Sequence, residues 1–146
     1  MILDERNEFA DAAAIALNTT NAIAPNTDVI DLGATPTLRD LGNGEPIYLV
    51  IQVDTAFGGA GNVTFDLVSD SAADLATSKT THWSSGAIAY TTWVAGYTKV
   101  VALPTEATYE RYLGLWETTS GNLTSGKINA FLTRNVAKYT NYPDAL

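Results

Sequence analysis

Between Gly44 and Phe57 the chain reads GEPIYLVIQVDTAF, and from Ile47 to Val53 it is almost unbroken in apolar and β-branched residues. That composition suits a strand covered on both faces or lying centrally in a sandwich. Turn chemistry precedes it, in Gly42-Asn43-Gly44-Glu45-Pro46, and Gly58-Gly59-Ala60-Gly61 follows it. Behind those glycines Val63, Phe65 and Leu67 alternate with Thr64 and Asp66, as side chains do on a half-buried strand. The two runs predict a hairpin closed by a glycine loop, and that hairpin is expected to nucleate an all-β domain.

The rest of the chain fits the same class. Residues 9–17 place Phe9, Ala13, Ile15 and Leu17 at odd positions among alanines. Periodicity alone allows a strand or a helix there, since alanines behind Asp4, Glu5 and Glu8 also suit a helix. A strand is favoured because everything downstream is β. Asn18 to Thr27 reads as a polar loop, Val29 to Gly33 as a short strand, and Ala34 to Asn43 as a connection. Later strands are expected around His82-Trp83, around Ala87 to Tyr90, and over Lys99 to Leu103, where Pro104 stops the run. Thr91 to Tyr97 reads as an aromatic-rich loop or edge. Arg111 to Glu117 and Lys127 to Val136 predict a second hairpin closed near Thr119 to Asn122. The tail from Ala137 to Leu146, with Tyr139 and Tyr142, reads as a terminal arm. Short strands joined by glycine and proline turns point to a single domain: a jelly-roll-like antiparallel β-sandwich over residues 1–146.

A chain of 146 residues buries roughly two thirds of its unfolded surface and needs no staple. It has no cysteine, which removes disulfides, thiolate metal sites and cysteine nucleophiles together. Neither a secretory signal at Met1 to Arg6 nor an apolar run of about 20 residues is present, so a soluble protein made in a cytoplasm is expected. The net charge of −8 argues against a grip on nucleic acid phosphates. Residues 1–74 hold 12 acids against Arg6 and Arg39, whereas residues 75–146 hold 4 acids and 6 bases. In a repeating assembly such a split lets the basic side of one subunit meet the acidic side of the next. The plainer alternative is two sets of solvated charges scattered by folding.

Candidate chemistry is sparse. His82 is the only histidine, no Gly-x-Ser-x-Gly elbow accompanies it, and an edge or turn role suits it better than a triad. Cupin-type metal binding needs several histidines. Glu110 and Glu117, seven apart, point to opposite faces of a strand and do not pair. Asp66, Asp70 and Asp74 lack the alternating ligands and central glycine of a calcium loop, so a solvated hairpin end is expected. Gly58, Gly59 and Gly61 have neither the lysine nor the helix of a phosphate loop. No enzyme activity, metal or cofactor is predicted. Aromatics stand out instead. Tyr112 and Trp116 share a strand face, where sandwich core is expected. Trp93, Tyr97, Tyr139 and Tyr142 sit in loop or terminal segments and are nominated as protein-interface anchors, ahead of stacking on sugar rings.

Several stretches taken together resemble one family. They are Val29-Ile30-Asp31-Leu32-Gly33, GEPIYLVIQVDTAF, Val94-Ala95-Gly96-Tyr97 before a strand ending Leu103-Pro104, Glu110 to Leu115, and TSGKINAFLT at Thr124 to Thr133. In order and spacing they resemble the small jelly-roll cement proteins that decorate the capsids of short-tailed bacteriophages. Thr91-Thr92-Trp93 and the longer tail beyond Val136 depart from that pattern. The resemblance implies a structural virion protein on the outer face of an icosahedral shell, bridging neighbouring major capsid protein subunits against internal pressure. It further implies synthesis in the host bacterial cytoplasm, self-association as a dimer or trimer, and no contact with membrane or encapsidated DNA. The alternative is a glycan-binding module of lectin-like or host-receptor type on the same sandwich.

Overall fold

The structure is a computed structural model describing residues 5–15, 22–23, 29–34, 45–105 and 107–139. In chain order the strands are β1 Glu8–Ala14, β2 Ala22–Ile23, β3 Ile30–Asp31, β4 Tyr48–Asp70, β5 Thr80–Ser84, β6 Ile88–Ala89, β7 Thr98–Ala102 and β8 Tyr112–Thr133. Single 3-10 turns occupy Glu5–Asn7, Tyr90–Thr92 and Val136–Tyr139. Of Asn18 to Thr27, expected as a polar loop, only Ala22 and Ile23 are described, and they pair with β8 as a short strand; the Ala34 to Asn43 connection beyond Ala34 and the tail from residue 140 onward lie outside the described residues.

Neither expected hairpin forms. The runs before and after Gly58 to Gly61 belong to one 23-residue strand, β4, and those flanking Thr119 to Asn122 belong to the 22-residue β8. β4 and β8 pair antiparallel over their whole length, from Tyr48 opposite Thr133 to Asp70 opposite Tyr112. The glycines that look like turn residues are where this ribbon bends, and register shifts between Val53 and Gly59 mark the place. Gly61 and Gly121 are cross-strand partners with φ of +133° and +86°, where an L side chain is strained. A Cβ on Gly61 would run into the Ser120 carbonyl oxygen, and one on Gly121 into that of Ala60. Close approach and left-handed backbone let the ribbon fold over while its two strands stay paired.

Folding the ribbon in half makes the sandwich. Leu49, Ile51 and Val53 from the first half of β4 share one buried cluster with Val63, Phe65 and Leu67 from its second half. Leu113, Leu115, Leu123, Ile128 and Ala130 of β8 complete that cluster. Short strands line both edges: β3, β2 and β1 pair successively with β8, and β7, β6 and β5 with β4. The fold is the expected all-β, antiparallel sandwich, reached by a different strand pairing. β1 is a strand, because pairing with β8 overrides the helical preference of its alanines. Its register shifts between Ala10 and Ala13, where Ala12 takes φ of +44° and its N–H donates to the Asn129 side chain. Along the first half of β8 the inward residues are Leu113, Leu115, Glu117 and Thr119, all buried. Tyr112 and Trp116 therefore face outward and are only half-buried, contrary to the core position expected for them.

Candidate functional site

Of the four nominated anchors the described residues place the side chains of two, Trp93 and Tyr97. Trp93 has no exposed surface. Its ring stacks on Phe57 at 5.7 Å between centroids and meets Phe65 and Tyr97 edge-on at 5.1 and 5.4 Å. This corrects its assignment as a surface anchor: the indole fills the space between the two halves of β4. Tyr97 is half-buried against the same core. Tyr139 ends the last 3-10 turn, and Tyr142 lies outside the described residues.

Trp93 holds a different feature in place. Residues 80–102 run along the outer side of β4 from one end to the other. β5 pairs with residues 66–69, and Ser85 donates its N–H to the Phe65 carbonyl. β6 pairs with Asn62 and Val63. The Trp93 carbonyl accepts from Phe57 N–H, and Tyr97 O and Gly96 N exchange bonds with Val53. β7 closes the row opposite Tyr48 to Gln52. From Thr80 to Thr98 this edge carries no Asp, Glu, Lys or Arg, over 19 residues of a chain with 24 such residues in all. Beside the buried indole, Val94 is 53% exposed, the most exposed large hydrophobic among the described residues. Composition shows the charge gap; that it forms one continuous edge depends on the pairing of β4, which is not readable from it.

A second cluster lies at the far end of β4. The Ser69 hydroxyl is buried, stands 2.7 Å from His82 Nε2 and accepts the Glu110 N–H at 3.0 Å. The His82 ring rests on Tyr109 at 4.4 Å, and Thr80 donates its hydroxyl to Glu110 Oε1. Burial holds the imidazole below its ordinary value, against the opposing pull of the Glu110 carboxylate. A neutral ring accepting at Nε2 lets the Ser69 O–H donate to it while its oxygen accepts from Glu110. Burial also pushes the Tyr109 phenol up to about 12, and its hydroxyl donates to the Pro104 carbonyl. With both hydrogen-bonding directions of Ser69 used and its oxygen enclosed, the cluster ties β4, β5 and the approach to β8 together.

Next to it Asp70 organises the loop after β4. Its carboxylate accepts N–H bonds from Ala72, Thr77 and Ser78 and the Ser71 hydroxyl. The Ser78 N–H above all holds it below the usual carboxylate range, assisted by the other donors and opposed by desolvation. Its oxygens are therefore occupied by donors. Among the described residues no group of three His, Cys, Asp or Glu is placed to hold a metal. The loop lays Leu75 against Gly114, where a Cβ would collide with the leucine methyl, and sets Lys79 Nζ 4.2 Å above the Trp116 ring. Among those residues no helix is long and apolar enough to cross a membrane.

The Bbp16 family model matches residues 9–132, which run from Phe9 in β1 to Leu132 near the end of β8. A search of curated proteins finds no match. With most of its length covered, the chain belongs to the Bbp16 family.

Proposed function

We propose that this member of the Bbp16 family is a structural virion protein that binds the outer face of a phage capsid and cements neighbouring major capsid protein subunits. The observation carrying the proposal is the ordered resemblance to phage cement proteins over five stretches from Val29 to Thr133. Those stretches include much of the paired β4 and β8, the part of the molecule that determines its shape. The absence of cysteine and the net charge of −8 suit a protein outside the shell and away from packaged DNA.

The mechanism is mechanical and non-catalytic. A bent ribbon whose backbone is hydrogen-bonded throughout makes a stiff spacer, and an oligomer of such spacers need not bind each shell site tightly. A first contact raises the effective concentration for the next, with avidity gains on the order of 10² to 10⁴. The glycan-binding alternative loses ground, because Trp93 and the edge of Tyr97 are committed to the core rather than to a stacking platform. The deciding experiment mixes purified protein with expanded, undecorated capsids. Binding and a higher disruption temperature are expected; no binding to properly expanded shells overturns the proposal.

A further inference from the structure

We propose that the cluster of Ser69, His82 and Glu110 is an acid-released latch: a proton on His82 frees the edge strand β5 from β4 while the β4–β8 ribbon stays folded. The device does not depend on the cement function proposed above and is tested without capsids.

The strand register aims the imidazole. Leu67 stands opposite Trp83 and Val68 opposite Thr81, so His82 is the extra residue of a β-bulge in β5. A bulge redirects the side chain it carries, and here His82 Nε2 comes within 2.7 Å of the Ser69 hydroxyl on β4. Ser69 is fully buried, and its oxygen also accepts the Glu110 N–H at 3.0 Å. The end of β4, the bulge of β5 and the approach to β8 thus meet at one hydroxyl. β5 has few other anchors. None of its five residues is buried, and of its side chains Trp83 packs partly covered against the main core. β4, by contrast, is paired with β8 on its other side along this whole stretch. An edge strand with so little buried surface opens at low cost while the ribbon behind it stays closed.

The latch works through the hydrogen bonds of Ser69. With a neutral ring, the Ser69 O–H donates to Nε2 while its oxygen accepts from Glu110. A protonated ring has donors on both nitrogens and no acceptor, so the Ser69 hydrogen loses its partner inside an enclosed site. The charged groups around the ring do not reverse this. From the approach to β8 the Glu110 carboxylate favours the proton, but desolvation opposes it and is the larger effect. The Tyr109 phenol, whose ring lies 4.4 Å from the imidazole, is pushed up to about 12 and stays neutral. Asp70, next along β4, turns to the opposite face and is occupied by N–H groups of its own loop. The closed form therefore takes up a proton less readily than an exposed imidazole of 6.5, and falling pH shifts the population toward an open form in which the ring reaches water. One proton changes that equilibrium by at most about tenfold per pH unit.

His82 is the only histidine, so its ring protons report a single titration in the NMR spectrum of the full-length protein. A midpoint below 6.5 is expected, and Glu110→Gln, which removes the favourable charge, should lower it further. Amide exchange between pH 7.5 and 5.5, divided by the intrinsic rate at each pH, reads the opening itself. Protection at Thr80 to Ser84 and at the Glu110 N–H should fall about threefold to tenfold over that range, while Leu49 to Val53 keep theirs. His82→Gln retains an acceptor for Ser69 and carries no titrating proton, so its β5 protection should not change with pH. Wild-type β5 protection that ignores pH, an equal fall in H82Q, or a midpoint at or above 6.5 would overturn the latch. A simultaneous fall at Leu49 to Val53 would overturn it too, because the proton would then be unfolding the whole domain.

Discussion

Replacing Trp93 by alanine separates a core role from a contact role. An enclosed indole removes roughly 200–250 Å² from water, which at about 25 cal/mol per Å² sets an upper limit near 5–6 kcal/mol. Part of that area stays covered in the alanine variant, and measured losses for such truncations fall at about 3–5 kcal/mol. For a domain of this size that corresponds to a fall in Tm of roughly 6–20 °C. Trp93→Phe is the informative companion. It keeps a ring between Phe57, Phe65 and Tyr97 and deletes an Nε1–H with no hydrogen-bond partner among the described residues. Removing that buried donor returns about 1–3 kcal/mol against the lost area, so W93F should lose less than half of what W93A loses. Urea unfolding read by tyrosine fluorescence and circular dichroism gives both values, with the midpoint shifting and the slope retained. Amide exchange should quicken first at Phe57 and Gly96, whose N–H groups bond to and from the segment Trp93 anchors. A W93A protein within about 1 kcal/mol of wild type would refute the core assignment.

Gly121→Val places a β-branched side chain at φ of +86° against the Ala60 carbonyl, so the ribbon cannot bend as it does. Loss of soluble, folded protein or a Tm drop above about 10 °C is expected, and a wild-type melt would refute the bend as a strict requirement. His82 makes stability depend on pH. Its folded value lies below the unfolded 6.5, so protonation favours the unfolded chain. Stability should be level above about pH 7 and fall as pH drops below about 6.5 toward the folded value. Asp70, held below 3.8, titrates outside that window. Tm recorded from pH 8 to 5.5 should decline in wild type and flatten in His82→Gln; equal slopes in the two would show that another group is responsible.

Strand existence was legible in part from residue type. Ile30–Asp31 and Thr98–Ala102 stand where apolar or β-branched residues run up to a glycine or a proline, whereas the pattern at Glu8–Ala14 suits helix or strand equally and Ala22–Ile23 lies in a stretch that reads as a polar loop. Strand continuity was not legible. Gly58 to Gly61 and Thr119 to Asn122 carry the same residues a hairpin loop carries, because a bend inside a strand and a turn between strands both need backbone that side chains would block. Which use they serve depends on the partner strand, some 60 residues distant, and local pattern does not encode it. Face assignment failed for the same reason. Trp116 pairs with Asp66 on the outer side while Glu117 opposite Phe65 turns inward, an inversion of what polarity alone predicts. Trp93 shows the converse error: uncharged neighbours in an irregular segment look like an exposed loop, yet the segment is a lid whose indole closes the core.

The same topology changes the meaning of the charge split between residues 1–74, with 12 acids and 2 bases, and residues 75–146, with 4 acids and 6 bases. The two halves do not become two sides of the molecule. β8, from the second half, lies between β1, β2 and β3 on one side and β4 on the other, all from the first half. Arg111 meets Asp31 at 2.9 Å across that boundary, and the register sets Lys127 between Ala14 and Thr55, next to Asp54 in sequence. Among the described residues opposite charges from the two halves of the chain therefore meet along the ribbon. What the topology does gather is one stretch of chain that has no carboxylate of its own. The chain leaving β4 must return along β4's free side before it can enter β8, so residues 75–105, which hold two lysines and no carboxylate, are laid on one edge. Carboxylates from other segments border that edge all the same: Glu110 accepts from the Thr80 hydroxyl, and Asp66 stands opposite Ser84.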